Sequence, residues 1–219
     1  MENPIGVPGF AIPHICRSLM VRLYLAASLC VTGLAATAQV LPEHARVHVE
    51  MTIVEIDRLV NSDMQRDILH NELADVFWTR SAPKIIARSA LGNVWSVASH
   101  PQQQEFLHAF INYMAVKYTR YFPRYIGSEF ETVYARTTRN DRYFEVKTNV
   151  YKQGRSPYPI YWYLTVINNQ PHIYNMIVDD LNILALEKNV MQALLKQNNN
   201  DLNRLIQILP KRYSEKTKS

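Results

Sequence analysis

Residues 158–167 read YPIYWYLTVI, and this stretch decides how the rest of the chain is interpreted. Strand side chains alternate between two faces, so Ile160 and Trp162 share one face of a strand here. On the other face, where a strand at the surface of a domain usually carries polar residues, the stretch has Tyr161 and Tyr163. The inward face either packs in a solid core or lines an apolar cavity. The two tyrosines either lie on the sheet with their hydroxyls in water or contact a partner or a membrane.

Other stretches alternate with the same period of two and predict further strands. Short connections rich in Asn, Gly, Asp and Ser separate them, which favours antiparallel pairing of neighbours along the chain. Phe144, Val146 and Val150 share the apolar face of one of these strands. With residues 158–167, the predicted strands are EFETVYART at 129–137, RYFEVKTNVYK at 142–152 and PHIYNMIVDD at 171–180.

Apolar residues at helical spacing predict helices on both sides of the strands. Ser99 is a candidate N-cap, and Asp201 is a second one. The predicted helical segments are 45–80 in one or two helices, PKIIARSALGNVW at 83–95, the segment from Ser99 to the stop at Pro123, 184–197 and 201–209. This order predicts an α+β fold, a curled antiparallel four-stranded sheet with helices packed on one face, enclosing an apolar cavity.

Residues 1–38 have the order of a secretory signal peptide. Arg22 precedes an apolar run, and small residues follow it up to Ala38. We predict cleavage after Ala38 and export, with Met20 as an alternative start. The competing interpretation is a retained membrane anchor, because residues 23–42 carry no charge.

The remaining chain is predicted to form a single domain, residues 39–210, followed by a basic flexible tail, KRYSEKTKS at 211–219. Both cysteines, Cys16 and Cys30, precede the predicted cleavage site, so the mature chain has no thiol for a disulfide or a nucleophile. The formal net charge is +5, and the domain has no basic stripe interleaved with aromatic residues. We therefore expect no nucleic acid partner.

An enzyme is the rival class of function. His44 and His48 are four residues apart and would meet a metal if they lie on a helix, and Asp179 and Asp180 supply carboxylates. The spacing places no third metal ligand, adjacent aspartates usually form a solvated turn, and no nucleophile motif is present. We predict that the protein is not an enzyme and has no metal, no catalytic residue and no cofactor.

Several segments stand in a distinctive order behind the predicted signal peptide. They are Leu91–Trp95, Ala98–Gln103 with the following Phe106, Ala109, Phe110 and Tyr118, then Pro159–Leu164, Ile173–Ile183 and Asp201–Leu209. Together they resemble the MlaC family, the periplasmic phospholipid-binding proteins of the Mla pathway, also called the toluene-tolerance family. The chain departs from the family pattern at Asp179 and Asp180, where a glycine-dependent turn is usual, and at Tyr161 and Tyr163, where charged residues are common.

The resemblance implies a phospholipid carrier that shuttles lipid between the outer and inner membranes and so maintains outer-membrane lipid asymmetry. The implied partners are an outer-membrane lipoprotein and porin complex and an inner-membrane ABC transporter complex, and we expect a monomer. Two alternatives stay open, a binding protein for a hopanoid or another polycyclic lipid and a chaperone for apolar polypeptide.

The predicted lipid-binding residues are apolar or aromatic and lie on the inward faces of the predicted elements. For each of them, ordinary core packing is the alternative, because sequence does not separate a filled core from a hollow one. We expect a cavity near the upper end of the ~300–1,000 Å³ range of ligand pockets. The predicted residues are Leu107, Phe110, Met114, Tyr118, Phe144, Val146, Val150, Ile160, Trp162, Leu164, Met176, Val178 and Leu184.

Overall fold

The structure, a computed structural model, describes residues 39–211. The predicted signal peptide with its cleavage site and residues 212–219 of the predicted tail lie outside the described residues. The helices are α1 Pro42–Val60, α2 Arg66–Arg80, α3 Pro83–Leu91, α4 Asn93–Val97, α5 His100–Thr119, α6 Ile183–Gln197 and α7 Leu202–Ile208, with short 3₁₀ helices at Phe122–Tyr125 and Leu209–Lys211. Between residues 39 and 211, no helix is long and apolar enough to cross a membrane.

One curled, open antiparallel sheet follows α5 and precedes α6 along the chain. Its strands follow the chain in the order β1-β2-β3-β4-β5. They are β1 Glu129–Thr137, β2 Tyr143–Tyr151, β3 Tyr158–Ile167, β4 Gln170–Val178 and β5 Leu181–Asn182. The predicted α+β class is confirmed, but the predicted count of four strands is wrong by one. The fifth strand has two residues, too few for an alternating pattern to show in the sequence.

Two tight turns connect the last strands of the sheet. Asn168 and Asn169, between β3 and β4, have φ values of 49° and 58°. Asp179 and Asp180, between β4 and β5, have φ values of 48° and 64°. Two consecutive residues with positive φ are typical of the type I′ turn, which matches the twist of a hairpin. The aspartate pair thus takes a conformation that glycine adopts more easily, and it folds β5 back onto β4.

The helix boundaries agree with the capping residues that the sequence suggests, with one exception. The Ser99 hydroxyl accepts a bond from the Gln102 amide and Asp201 accepts bonds from two backbone amides, so both predicted N-caps are confirmed. The segment predicted as one helix from residue 83 to 95 is broken at Gly92, where φ is 63°. The Gln192 side chain of α6 donates to the carbonyl oxygen of Leu91 at 2.9 Å, so it occupies the space beside the break.

A β-bulge interrupts the pairing of the first two strands. Thr132 pairs with Thr148 and Tyr134 pairs with Lys147, which leaves Val133 as the additional residue of β1. A bulge bends its strand and increases the local twist. It therefore contributes to the curl of the sheet at its β1 edge.

The domain has two clusters of buried apolar side chains. The helical cluster is formed by α2 to α7 with Leu59 of α1, and includes Phe106 and Phe110, neither of which is exposed. The sheet cluster is formed by the inner face of β2, β3 and β4 with Val49 of α1, and includes Phe144 and Leu164. The helices between residues 39 and 211 cover this inner face, and a cavity lies between the two clusters.

The outer face of the sheet explains the tyrosines of β3. Glu145 is buried on this face, and its Oε1 accepts bonds from the Tyr134 hydroxyl at 2.7 Å and Arg136 Nη2 at 2.7 Å. Tyr161 and Tyr163 are half-buried and flank this group, because they pair with Lys147 and Glu145 across β2. The second face of β3 is therefore part of a polar and aromatic outer surface and does not pack against the core.

Candidate functional site

An apolar cavity of about 390 Å³ lies between the two clusters. It takes its walls from both, since Tyr118 belongs to the helical cluster and Ile160 and Trp162 belong to the sheet cluster. Ligand pockets span ~300–1,000 Å³. We expected a volume near the upper end of this range, but the cavity lies near its lower end. The lining residues are Ile53, Ile56, Asp57, Val60, Lys117, Tyr118, Tyr121, Phe122, Arg124, Tyr125, Phe130, Ile160, Trp162, Met176, Val178, Leu181, Ile183 and Leu186.

A second cavity of about 100 Å³ extends between α2, α5 and β4. Phe110, Met114 and Leu184 line this smaller space. Its wall overlaps that of the larger cavity in residues that line both, namely Ile56, Phe122, Trp162, Met176 and Ile183. These shared side chains form the partition between the two cavities.

The predicted lipid-binding residues divide into two groups in the structure. Those that line a cavity are Phe110, Met114, Tyr118, Ile160, Trp162, Met176, Val178 and Leu184. Those that line neither cavity are Leu107, in the helical cluster, and Phe144, Val146, Val150 and Leu164, in the sheet cluster. The second group packs against other side chains with at most 6% of its surface exposed.

A polar cluster is buried in the cavity wall. Glu187 of α6 is not exposed, and its Oε1 accepts bonds from Lys117 Nζ at 2.6 Å and the Tyr118 hydroxyl at 2.8 Å. Its Oε2 accepts a longer bond from the Tyr113 hydroxyl at 3.3 Å. Burial raises the pKa of Tyr118 far above its usual range, and the adjacent carboxylate acts in the same direction. Tyr118 therefore remains a neutral donor, and the ion pair ties α5 to α6 beside the cavity.

Two other hydrogen bonds orient aromatic rings in the wall. Trp162 Nε1 donates to the Thr148 hydroxyl at 3.0 Å, so the buried indole N–H has a partner on the neighbouring strand. The Tyr125 hydroxyl forms a hydrogen bond with that of Tyr158, and burial together with this neighbour raises the pKa of Tyr125 to about 12. Both rings are thus held with their apolar surfaces available to the cavity.

The sequence interpretation missed the contribution of α1 and the buried ion pair. Ile53, Ile56 and Val60 of α1 line the cavity, although their spacing only indicated a helix. Lys117 and Glu187 each interrupt an apolar stripe, because Lys117 follows Tyr113 by four residues and Glu187 precedes Met191 by four. Opposite charges within two apolar helical stripes were therefore the feature of the sequence that could have indicated a buried ion pair.

The histidines considered as metal ligands do not converge. His44 Nδ1 accepts a bond from the Leu41 amide at 3.0 Å, and His48 Nε2 bonds to the carbonyl oxygen of Arg80 at 2.8 Å. Among residues 39–211, no group of three or more His, Cys, Asp or Glu side chains is placed to hold a metal ion. The two histidines have structural partners instead.

Comparison with known proteins identifies the fold and the family. The structure is similar to that of the phospholipid-binding protein from Ralstonia solanacearum in complex with a phospholipid, with a TM-score of 0.63 at 16% identity. The match covers 80% of this chain and 97% of that chain, and at this identity it shows the fold alone. No curated protein matches the sequence. The MlaC protein family matches residues 52–211, more than half of the chain, so this chain belongs to the MlaC family.

Proposed function

We propose that this protein is a periplasmic phospholipid carrier that shuttles lipid between the outer and inner membranes and so maintains outer-membrane lipid asymmetry. The observation that carries the proposal is the apolar cavity of about 390 Å³ between the helical and sheet clusters. Membership of the MlaC family supports it, as does the fold shared with a protein that binds phospholipid. Residues 39–210 would be the lipid-binding domain.

The energy of exposed acyl chains explains why such a carrier needs a cavity. Two chains carry about 30 methylene groups at ~0.8 kcal/mol each, so exposing them to water costs roughly 25 kcal/mol. A cavity lined by Ile53, Ile160, Trp162 and Val178 offers the chains an apolar environment similar to that of a bilayer. Transfer from membrane to protein is then close to neutral and needs no covalent step, which is why the proposed function is not enzymatic.

The cavity volumes indicate how a lipid would fit. The two cavities, of about 390 Å³ and 100 Å³, lie together in the lower half of the ~300–1,000 Å³ range of ligand pockets. A lipid with two acyl chains would need more space, so the partition between the cavities would move when it binds. Met176 is part of that partition, and its unbranched thioether side chain adapts readily to a new shape.

The predicted signal peptide, with its expected cleavage after Ala38, supports the proposal that this carrier acts in the periplasm. There it would exchange lipid, as a monomer, with an outer-membrane lipoprotein and porin complex and with an inner-membrane ABC transporter complex. A carrier that moves between two membranes would need such an apolar site within its own domain.

Native mass spectrometry of the exported protein, purified without detergent and followed by extraction and identification of lipid, tests the proposal. We expect about one diacyl phospholipid per chain. Val178→Trp should lower this occupancy at least about tenfold, because Val178 lines the cavity. The matched control is Ile177→Trp, since Ile177 pairs with Tyr161 and lies on the opposite face of β4.

The outcomes separate the alternatives. Lipid that is lost in Val178→Trp and retained in Ile177→Trp supports the carrier and places the ligand in the cavity. A co-purified polycyclic lipid would mean that the ligand is of the hopanoid type and is not a phospholipid. An empty protein that takes up no lipid from vesicles contradicts the proposal.

A further inference from the structure

The cavity contains charge as well as apolar surface. Among the described residues, the charged side chains that line the larger cavity are Asp57, Lys117 and Arg124. Lys117 is buried, and Glu187 accepts its bond at 2.6 Å, so these two charges compensate each other inside the protein. The cavity interior is therefore close to neutral and does not attract an anionic group to its depth.

Asp57 and Arg124 differ from Lys117 in being exposed. They come from separate elements, since Asp57 lies in the last turn of α1 and Arg124 in the 3₁₀ helix after α5. Neither has an oppositely charged side chain within 4.0 Å in the part of the chain that the structure describes. Both charges are thus available to a ligand at the solvent side of the cavity.

Local contacts hold both side chains at this position. The Arg124 guanidinium lies over the Tyr121 ring, 5.1 Å from its centroid, and Tyr121 itself lines the cavity. Lys152 Nζ donates to the carbonyl oxygen of Arg124 and so holds the backbone of this turn. Asp57 Oδ1 accepts a bond from Asn61 Nδ2 at 2.9 Å.

From this arrangement we infer that Asp57 and Arg124 select a zwitterionic lipid headgroup, one that carries a phosphate and an ammonium. This inference rests on the proposed function. With the acyl chains in the apolar cavity, the phosphate lies at the opening, where an arginine guanidinium is its preferred partner. An ammonium linked to that phosphate is attracted to Asp57. An anionic phosphoglycerol headgroup has the same phosphate but offers no cation to the carboxylate.

The preference should be modest, because both side chains are exposed. Solvent-exposed ion pairs change an equilibrium by roughly two- to fivefold. We therefore expect two- to fivefold enrichment of phosphatidylethanolamine over phosphatidylglycerol with identical acyl chains.

The test uses the delipidated full chain with vesicles containing equal amounts of these two lipids. After the vesicles are removed, mass spectrometry gives both the total bound lipid and the ratio of the two headgroups. Asp57→Asn should bring the ratio to about one, and Asp57→Lys should invert it in favour of phosphatidylglycerol. Arg124→Gln should lower the uptake of both lipids, because both contain the phosphate. The control is Asp63→Asn, at an exposed aspartate that lines neither cavity, and its ratio should equal that of the unmodified protein.

A further arm adds free phosphoethanolamine, which has the headgroup charges without the chains. Failure of this compound to displace bound lipid at millimolar concentration supports a headgroup site that depends on the acyl chains, and displacement overturns it in favour of an independent phosphate site. If lipid binds but its headgroup ratio is the same in Asp57→Asn and the unmodified protein, the inference is wrong and the carrier function stands. If neither lipid binds, the carrier function itself fails.

Discussion

Two regions of the inner sheet face differ in what lies opposite them. The filled region comprises Phe144, Val146, Val150 and Leu164, which pack in the sheet cluster with at most 1% of their surface exposed. The hollow region comprises Ile160, Trp162, Met176 and Val178, which line the larger cavity. Both regions consist of the same kinds of apolar residue on the same face of one sheet.

The helices cause the difference. Over the filled region, Ala45 and Val49 of α1 are fully buried against the strands. Beside the hollow region, Glu187 of α6 accepts bonds from Lys117 and Tyr118 of α5, so polar contacts join these two helices there. A cavity in a close-packed interior is thus a property of several elements together and not of the strand that lines it.

The largest expected effect comes from separating the ion pair beside the hollow region. Lys117→Met leaves the Glu187 carboxylate buried without its cation, so we expect the free energy of unfolding to fall by about 3–5 kcal/mol. Urea denaturation of the delipidated protein measures this change.

The double variant Lys117→Met/Glu187→Leu should recover most of that loss, because it removes both charges together. As a control, Lys147→Met changes a lysine on the outer face, where Nζ lies 5.8 Å from the Tyr161 ring centroid, and should cost at most about 0.5 kcal/mol. Equal losses in Lys117→Met and Lys147→Met would show that the buried pair does not support the hollow region.

The next effect compares the two regions directly on β3. Leu164→Ala creates a new void in the filled region and should cost about 2–5 kcal/mol. Ile160→Ala enlarges a cavity that already exists, so it should lose only the transfer free energy of the removed atoms, about 1–2 kcal/mol. Thermal or urea unfolding of both variants checks the difference. If Ile160→Ala costs as much as Leu164→Ala, the hollow region is packed in solution.

The smallest expected effect is the pH dependence of the α1 contact beside the filled region. Burial lowers the pKa of His48 below its ordinary value of 6.5, and the charges of Arg80 and His172 act in the same direction. The unfolded chain therefore binds the proton more readily, so the free energy of unfolding falls as the pH decreases from 6.5 towards the lowered pKa.

Unfolding measured at about pH 7.5 and pH 5 should show a smaller decrease in His48→Gln than in the unmodified protein. His70, whose pKa burial also lowers, contributes in the same direction, so the double variant with His70→Gln should be flatter still. An unchanged pH dependence in both variants would rule out this role for the histidines.

Most of the fold could be predicted from the sequence because its signals are local. The period of two in β1 to β4 and the caps at Ser99 and Asp201 depend on neighbours along the chain. The break at Gly92 was missed because glycine tolerates both helical and positive φ angles, so its presence does not show which one it adopts. The short β5 was missed because two residues are too few for an alternating pattern.

The candidate site was less predictable, because it depends on which distant elements meet. Phe144 and Trp162 both lie on inward faces of strands, but Phe144 packs in the core and Trp162 lines both cavities. Lys117 and Glu187 were visible as charges within apolar stripes, but their pairing requires α5 and α6 to be adjacent. Sequence periodicity gives the direction of a side chain and not the distance to the surface opposite.

The bulge at Val133 has a consequence for the association of one copy with another. β1 is an edge of the sheet, and an unpaired edge is a template on which a second chain can add a strand and begin to aggregate. The additional residue bends the row of free N–H and C=O groups, and the exposed Glu129 and Glu131 place like charges along the same edge. Such an edge opposes strand addition by a second copy, which favours individual molecules that remain free to diffuse.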